Sequence, residues 1–172
     1  HPLRKMIGNG LRPDIWMEFK QRFGVREIYE LYGASEGNIA FVNLLNQDCT
    51  VGLCPAPYAL VECEIETGAP IRDAAGRLRR VAEGEPGLLV GEVSERFPFD
   101  GYTDTSANTG KLLRDAFAPG DCWFNTGDLM RSLGYKHTQF VDRLGDTYRW
   151  HGENVSTTEV EAVAHGFPGV LE

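Results

Sequence analysis

Asp142-Arg143-Leu144-Gly145-Asp146-Thr147-Tyr148-Arg149-Trp150-His151-Gly152-Glu153-Asn154-Val155-Ser156-Thr157-Thr158-Glu159-Val160-Glu161 organises the rest of the chain. Phe140 to Arg143 reads as the end of a strand, and Asp146 to Trp150 as a new one. Ser156-Thr157-Thr158-Glu159 is a capping box, with a hydroxyl and a carboxylate three residues apart to satisfy helical amides, and it opens a helix toward His165. Gly166, Pro168 and Gly169 stop that helix. Asp142 and Arg143 place opposite charges in one turn, where a solvated ion pair of little energetic weight is one reading.

Upstream of this stretch, residues 46–140 read as β-rich. Tyr58 to Ile65 and Gly87 to Val93 are strand candidates. Between them Asp73-Ala74-Ala75-Gly76 has the residues of a type I turn, and Glu83-Gly84-Glu85-Pro86-Gly87 forms another turn. Strands at this spacing suggest a small barrel or sandwich. One helix is expected over 109–117, ahead of Pro119-Gly120.

Residues 1–45 read as α/β. Pro13 suits a first helical position, and Ile15, Trp16, Phe19 and Phe23 recur at helical spacing as a core face. Gly24 ends that helix. Glu27 to Leu31 alternates as a short strand, and Ile39 to Leu45 is a second apolar run of strand length.

Composition narrows the class. The chain has 172 residues, 42% hydrophobic and 24% charged, which fits a globular protein. Its 17 basic and 25 acidic residues give a net charge of −8, which argues against a nucleic-acid binder. No apolar run approaches the ~20 residues of a spanning helix, and the N-terminus lacks the pattern of a signal peptide. Cys49, Cys54, Cys63 and Cys122 show no CxxC spacing and no nearby His, so they read as reduced thiols. Asn154-Val155-Ser156 matches a glycosylation sequon by pattern only.

Several stretches could carry chemistry. No GxxxxGK[ST] phosphate loop is present; Gly110-Lys111 is followed by Leu112 and lacks the upstream Gly. Gly8-Asn9-Gly10 lacks the third Gly of a dinucleotide fingerprint. In Tyr32-Gly33-Ala34-Ser35-Glu36-Gly37 the glycines allow close backbone approach and the aromatic offers a stacking face. Ser35 can meet a phosphate, and Glu36 is a hard oxygen ligand for Mg2+. The same residues also suit a polar turn. Asn125-Thr126-Gly127-Asp128 sets a carboxylate after a Gly turn, able to accept ribose hydroxyls or to cap a turn. Trp123 and Phe124 can support a pocket or pack in the β-rich region.

Taken in order, Gly8-Asn9-Gly10, Tyr32 to Asn38, Asn125 to Leu129 and the 142–161 stretch resemble the adenylate-forming superfamily of acyl-CoA synthetases, peptide-synthetase adenylation domains and luciferases. With residues 8–38 included, the chain resembles the fatty acid transport protein branch, also called very-long-chain acyl-CoA synthetases. The resemblance runs from Ile7 to Glu172. It implies an α/β plus β fold: the end of an α/β nucleotide-binding subdomain (1–45), a distorted β-barrel subdomain (46–141), a hinge (142–145) and the start of a small C-terminal domain (146–172).

The resemblance also implies a two-step ligase, in which a fatty acid and Mg·ATP give an acyl-adenylate and CoA then displaces AMP. Gly8, Asn9 and Gly10 would line the adenine and acyl pocket with Gly33 nearby. Tyr32 would stack on adenine, Ser35 would meet the phosphates, and Glu36 would bind Mg2+. Asp128 would hold the ribose hydroxyls, and Arg143 would reach ribose or phosphate. Arg149 and Gly152 would lie on the thioester-forming face with Trp150. Relatives carry Asp or Lys at the pivot two residues after Arg143; here it is Gly145, with Asp146 as the acidic alternative.

The superfamily's Ser/Thr/Gly-rich phosphate loop and its carboxylate-orienting lysine are not found in this stretch. The chain is therefore expected to be an internal fragment, inactive alone, whose parent is a long- or very-long-chain acyl-CoA synthetase. The substrates would be ATP, fatty acid and CoA, and the location cytoplasmic or peripheral at the inner membrane face. Alternatives are a fatty acid uptake partner at the membrane surface, a CoA ligase for another acid such as a bile acid, and a β-rich binding module without catalysis.

Overall fold

The computed structural model describes residues 3–34, 37–65, 67–101, 110–144, 147–150, 153–156, 160–161, 163–164 and 166–167. The chain opens with β1 (Lys5–Gly8), α1 (Pro13–Phe23) and β2 (Glu27–Gly33). Pro13 presets φ at the start of α1, and Asp14 complements the positive end of its dipole. Gly24 ends it at φ 66°, donating its N–H to the Lys20 carbonyl, a backbone state that a Cβ disfavours. The core face is narrower than the spacing suggests. Trp16 is 1% exposed and packs with Val25 and Ile28, with Phe19 beside them, but Ile15 and Phe23 are exposed. Phe23 instead packs on Phe19, one turn earlier, at 4.7 Å between ring centroids. The Trp16 indole N–H donates to Asp48 at 3.0 Å, which fastens α1 to the loop after β3.

β2 is the middle strand of a three-stranded mixed sheet. β1 runs parallel to it, with Gly8 opposite Glu30, and β3 (Ala40–Val42) runs antiparallel on its other edge. β1 is not signalled by apolar alternation, and β3 is shorter than the apolar run 39–45 because residues 44–45 turn away exposed.

The second sheet holds β4 (Tyr58–Val61), β5 (Pro86–Glu92), β6 (Leu112–Arg114), β7 (Cys122–Ser132) and β8 (Thr138–Arg143). Its centre is β5, where Leu88, Leu89 and Val90 are each 0% exposed. Leu88 and Val90 enter one core with Val61, Trp123 and Leu129; Leu89 enters another with Phe41, Phe124 and Met130. A continuous apolar run therefore serves a strand covered on both faces. Fully burying each such side chain contributes ~1.5–3 kcal/mol. Because Ile39 and Phe41 share the second core, the two sheets are packed together.

Two expectations change here. The β-rich region is an open antiparallel sheet, with no closed barrel among the described residues. Residues 112–114 form β6 where a helix was expected over 109–117. Pairing with β7 overrides the local signal, and Asp115 then turns into the left-handed region at φ 51°. Trp123 and Phe124 are packing residues, 7% and 0% exposed. The turn at Asp73 forms as expected, with Asp73 accepting the amides of Ala75 and Arg77. All four cysteines are free thiols.

β9 (Thr147–Trp150) and β10 (Glu153–Ser156) form an antiparallel hairpin, so Ser156 closes a strand. Residues 160, 161, 163 and 164 are helical. The remaining capping-box positions, Thr157, Thr158 and Glu159, lie outside the described residues.

Candidate nucleotide site

The site grows from a defect in β7. Opposite β5, Leu88 pairs with Leu129 but Val90 pairs with Asn125, so β7 bulges between them. The bulge is closed by its own side chains. Asn125 Oδ1 accepts the Gly127 amide at 3.0 Å. Thr126 Oγ1 accepts the Asp128 amide at 3.1 Å and donates to the Leu89 carbonyl at 2.9 Å. Gly127 takes φ 80° at the turn of the bulge. Asn-Thr-Gly-Asp is thus a self-bonded bulge that re-aims a carboxylate.

Asp128, 7% exposed, meets Tyr32 from the first sheet. The Tyr32 hydroxyl donates to Asp128 Oδ2 at 2.5 Å across 96 residues of sequence. Burial, then the charge of Asp128 and the hydrogen bond to it, push the phenol pKa well above its ordinary value, so Tyr32 stays a proton donor. Its ring packs edge-on to Phe41 at 5.8 Å and near Phe140 at 6.3 Å. Gly37, at the end of the same loop, sits on Phe124: a Cβ there would fall 2.3 Å from the ring. Tyr32 and Gly37 are therefore both seated against β7.

Arg143, at the end of β8, lies opposite Asp128 in register, and its Nε is 3.5 Å from Oδ1. The guanidinium is 64% exposed, so this pair adds little stability. Its neighbour Asp142 accepts the Arg143 amide at 2.8 Å; the ion pair of Arg143 runs to Asp128.

Gly8 closes β1 and Asn9 and Gly10 follow it, at the carboxyl end of a parallel pair where such folds take ligands. Gly10 is held there by a residue that no motif marks. Glu30, 2% exposed, accepts the amides of Gly10 and Leu11. Its second oxygen is buried without a partner among the described residues. Burial raises the Glu30 pKa, and the two amides oppose that rise. The available signal was a carboxylate alternating with Ile28 and Tyr32 on one face of β2.

The structure thus brings together Tyr32, Asp128 and Arg143, with Gly8, Asn9, Gly10 and Gly33 on adjoining segments. Arg149 lies in β9 opposite Asn154. Ser35, Glu36, Gly145, Asp146 and Gly152 lie outside the described residues. Among the described residues no cluster of three metal-ligating side chains occurs.

The fold is shared with ligases of known structure. Over 99% of this chain, ATP-bound MatB from Rhodopseudomonas palustris superposes with a TM-score of 0.68 at 23% identity, with 31% of that chain covered. An anthranilate CoA ligase in complex with anthranoyl-AMP superposes with a TM-score of 0.57 at 20% identity, over 98% of this chain and 30% of that one. The chain shares the fold of a segment of each of these chains. No family model matches it.

The sequence has named relatives. The medium/long-chain-fatty-acid–CoA ligase FadD6 of Mycobacterium tuberculosis is 59% identical over 162 residues, 94% of this chain. Human long-chain fatty acid transport protein 3 is 46% identical over 170 residues, 95% of this chain. The chain is thus similar to a segment of fatty-acid–CoA ligases and long-chain fatty acid transport proteins. It spans about a quarter of the length of these relatives, 27% and 25%.

Proposed function

We propose that the complete protein is an ATP-dependent acyl-CoA synthetase for long or very long fatty acids, and that Asp128 and Tyr32 form its adenosine-binding surface. The observation that carries this reading is the 2.5 Å hydrogen bond between them, which joins two motifs from distant parts of the sequence at one point. A carboxylate held by a phenol and flanked by a guanidinium is suited to accept vicinal hydroxyls of a ribose. Tyr32 offers an aromatic surface next to it, and Arg143, largely exposed, is placed to reach ribose or phosphate.

In the reaction a fatty acid carboxylate oxygen attacks the α-phosphorus and pyrophosphate leaves. The CoA thiol, losing its proton, then attacks the acyl carbon and AMP leaves. The chain's task in the first step is to orient the nucleotide and place cationic donors around the developing charge. Mg2+ needs only one or two carboxylates besides substrate phosphates, so Glu36 suffices as its protein ligand without a dedicated cluster. When bound, the ion would neutralise phosphate charge. Ser35 is assigned to the phosphates, Gly8, Asn9, Gly10 and Gly33 to the pocket wall, and Arg149 and Gly152 to the CoA side. Gly145 is the pivot and Asp146 its alternative, between units at 46–141 and 146–172. AMP and pyrophosphate would be the co-products.

Relatives named as transport proteins favour a second reading, fatty acid uptake at a membrane surface. Among the described residues no helix is long and apolar enough to cross a membrane. Both readings meet one assay: acyl-CoA formation by the complete protein with ATP, CoA and acids from medium to very long chain. Activity peaking at long or very long chains is expected. A folded protein inactive on every chain length would overturn the synthetase reading and leave uptake or another carboxylic acid.

A further inference from the structure

One edge of β7 is shared by two strands. β6 pairs with Cys122–Phe124 and β8 with Asp128–Ser132, so residues 125–127 face a gap between two strand ends. The gap is tied on both sides. The Asn125 amide donates to the Lys111 carbonyl at 2.7 Å, and the Leu144 amide donates to the Gly127 carbonyl at 2.8 Å. Lys111, immediately before β6, and Arg143, at the end of β8, therefore border the same opening, with Gly127 as its floor and Asp128 beside it.

The Lys111 ammonium reaches into this opening. Its Nζ lies 3.7 Å from the place a Cβ on Gly127 would occupy. Glycine at 127 thus serves both the left-handed turn of the bulge and the approach of the cation. Lys111 is half-buried, and among the described residues its ammonium makes no ion pair or hydrogen bond. The ammonium thus stands at the mouth of the gap with none of its hydrogen-bonding capacity taken up by the described residues. An anionic ligand in the gap would supply the missing charge.

We propose that Lys111 is a ligand-binding residue of the Asp128 site, and that it contacts a phosphate of an adenosine nucleotide whose hydroxyls Asp128 accepts. This rests on the reading of Asp128 as a nucleotide site. ATP and AMP carry both a phosphate and free vicinal hydroxyls, whereas CoA carries a 3′-phosphate in place of one hydroxyl, and separate measurements distinguish them.

The test uses Lys111→Met, which keeps chain length and removes charge, and Lys111→Arg, which keeps charge, in the complete protein. AMP, adenosine and CoA binding are measured by calorimetry, and KM for ATP and for CoA by steady-state kinetics. Loss of a charge-assisted contact should weaken AMP binding about ten-fold or more while adenosine binding stays within about two-fold, with Lys111→Arg restoring most of the loss. A loss confined to CoA overturns the proposal, because the CoA ribose carries a 3′-phosphate and lacks the vicinal hydroxyls that Asp128 would accept. Unchanged binding of both AMP and CoA in Lys111→Met overturns it. Asp128→Ala separates this from the parent reading: if it lowers AMP and adenosine binding while Lys111→Met does not, only the lysine assignment falls. If Asp128→Ala leaves both unchanged, the nucleotide reading itself falls.

Discussion

Asp121 precedes β7 and Asp128 lies in its middle, and the two carboxylates have opposite kinds of partner. Asp121 is occupied by its own neighbourhood. It accepts the amides of Ala116, Phe117 and Ala118 and the Trp123 indole N–H, all within five residues. Together with Asp115, whose carboxylate accepts the Gly120 amide, it folds 115–121 into a closed turn. Asp128 draws on groups far away in sequence: Tyr32 from the first sheet and Arg143 from β8. A carboxylate filled by local amides does structural work. One presented by a bulge to side chains from other elements marks a place where segments meet, and such places hold ligands.

The largest way to break this comparison is Asp121→Ala. Removing an acceptor shared by four donors should cost about 2–4 kcal/mol of unfolding free energy. Specific activity per folded molecule of the complete protein should stay unchanged. A loss of kcat/KM at constant stability would show that the turn belongs to the site. Asp121 also carries a pH signature. Burial raises its pKa, but the Phe117 amide, the Trp123 indole and the other amides outweigh it, so the net shift is downward. A native pKa below the unfolded value of ~3.9 stabilises the fold above that pH, and the contribution disappears as pH falls through the depressed native value. Asp121→Asn should therefore trail the parent in stability at pH 7 and converge with it below about pH 4, read by denaturant titration.

A smaller effect sharpens the other side. Tyr32→Phe removes one hydroxyl from Asp128 and keeps the ring against Phe41 and Phe140. KM for ATP should rise about three- to ten-fold, in line with one hydrogen bond to a charged group, with stability within about 1 kcal/mol. An unchanged KM would reduce that bond to a packing detail.

How much of this was legible in sequence follows from the same local and distant division. Pro13 and Gly24 bound α1 because each sets its own backbone. The turn at Asp73 and the strand candidate Gly87 to Val93 also read correctly, being decided within a few residues. Residues 112–114 misread as helix because their pairing with β7 is set by tertiary contact. Ile15 and Phe23 misread as core because helical spacing alone does not say how wide a face the sheet covers. The motifs around Tyr32 and Asp128 were visible singly, but no periodicity predicts their meeting across 96 residues. Glu30 went unseen because its role as acceptor for the Gly10 and Leu11 amides exists only once β1 and β2 are side by side.

The central claim is that the β7 bulge presents Asp128 to a nucleotide. Calorimetric titration of the complete protein with AMP, parent against Asp128→Ala, tests it most directly. The account predicts affinity at least ten-fold weaker in a variant that unfolds at nearly the parent's temperature, with Asp121→Asn binding like the parent. Equal affinity in Asp128→Ala and the parent would contradict it.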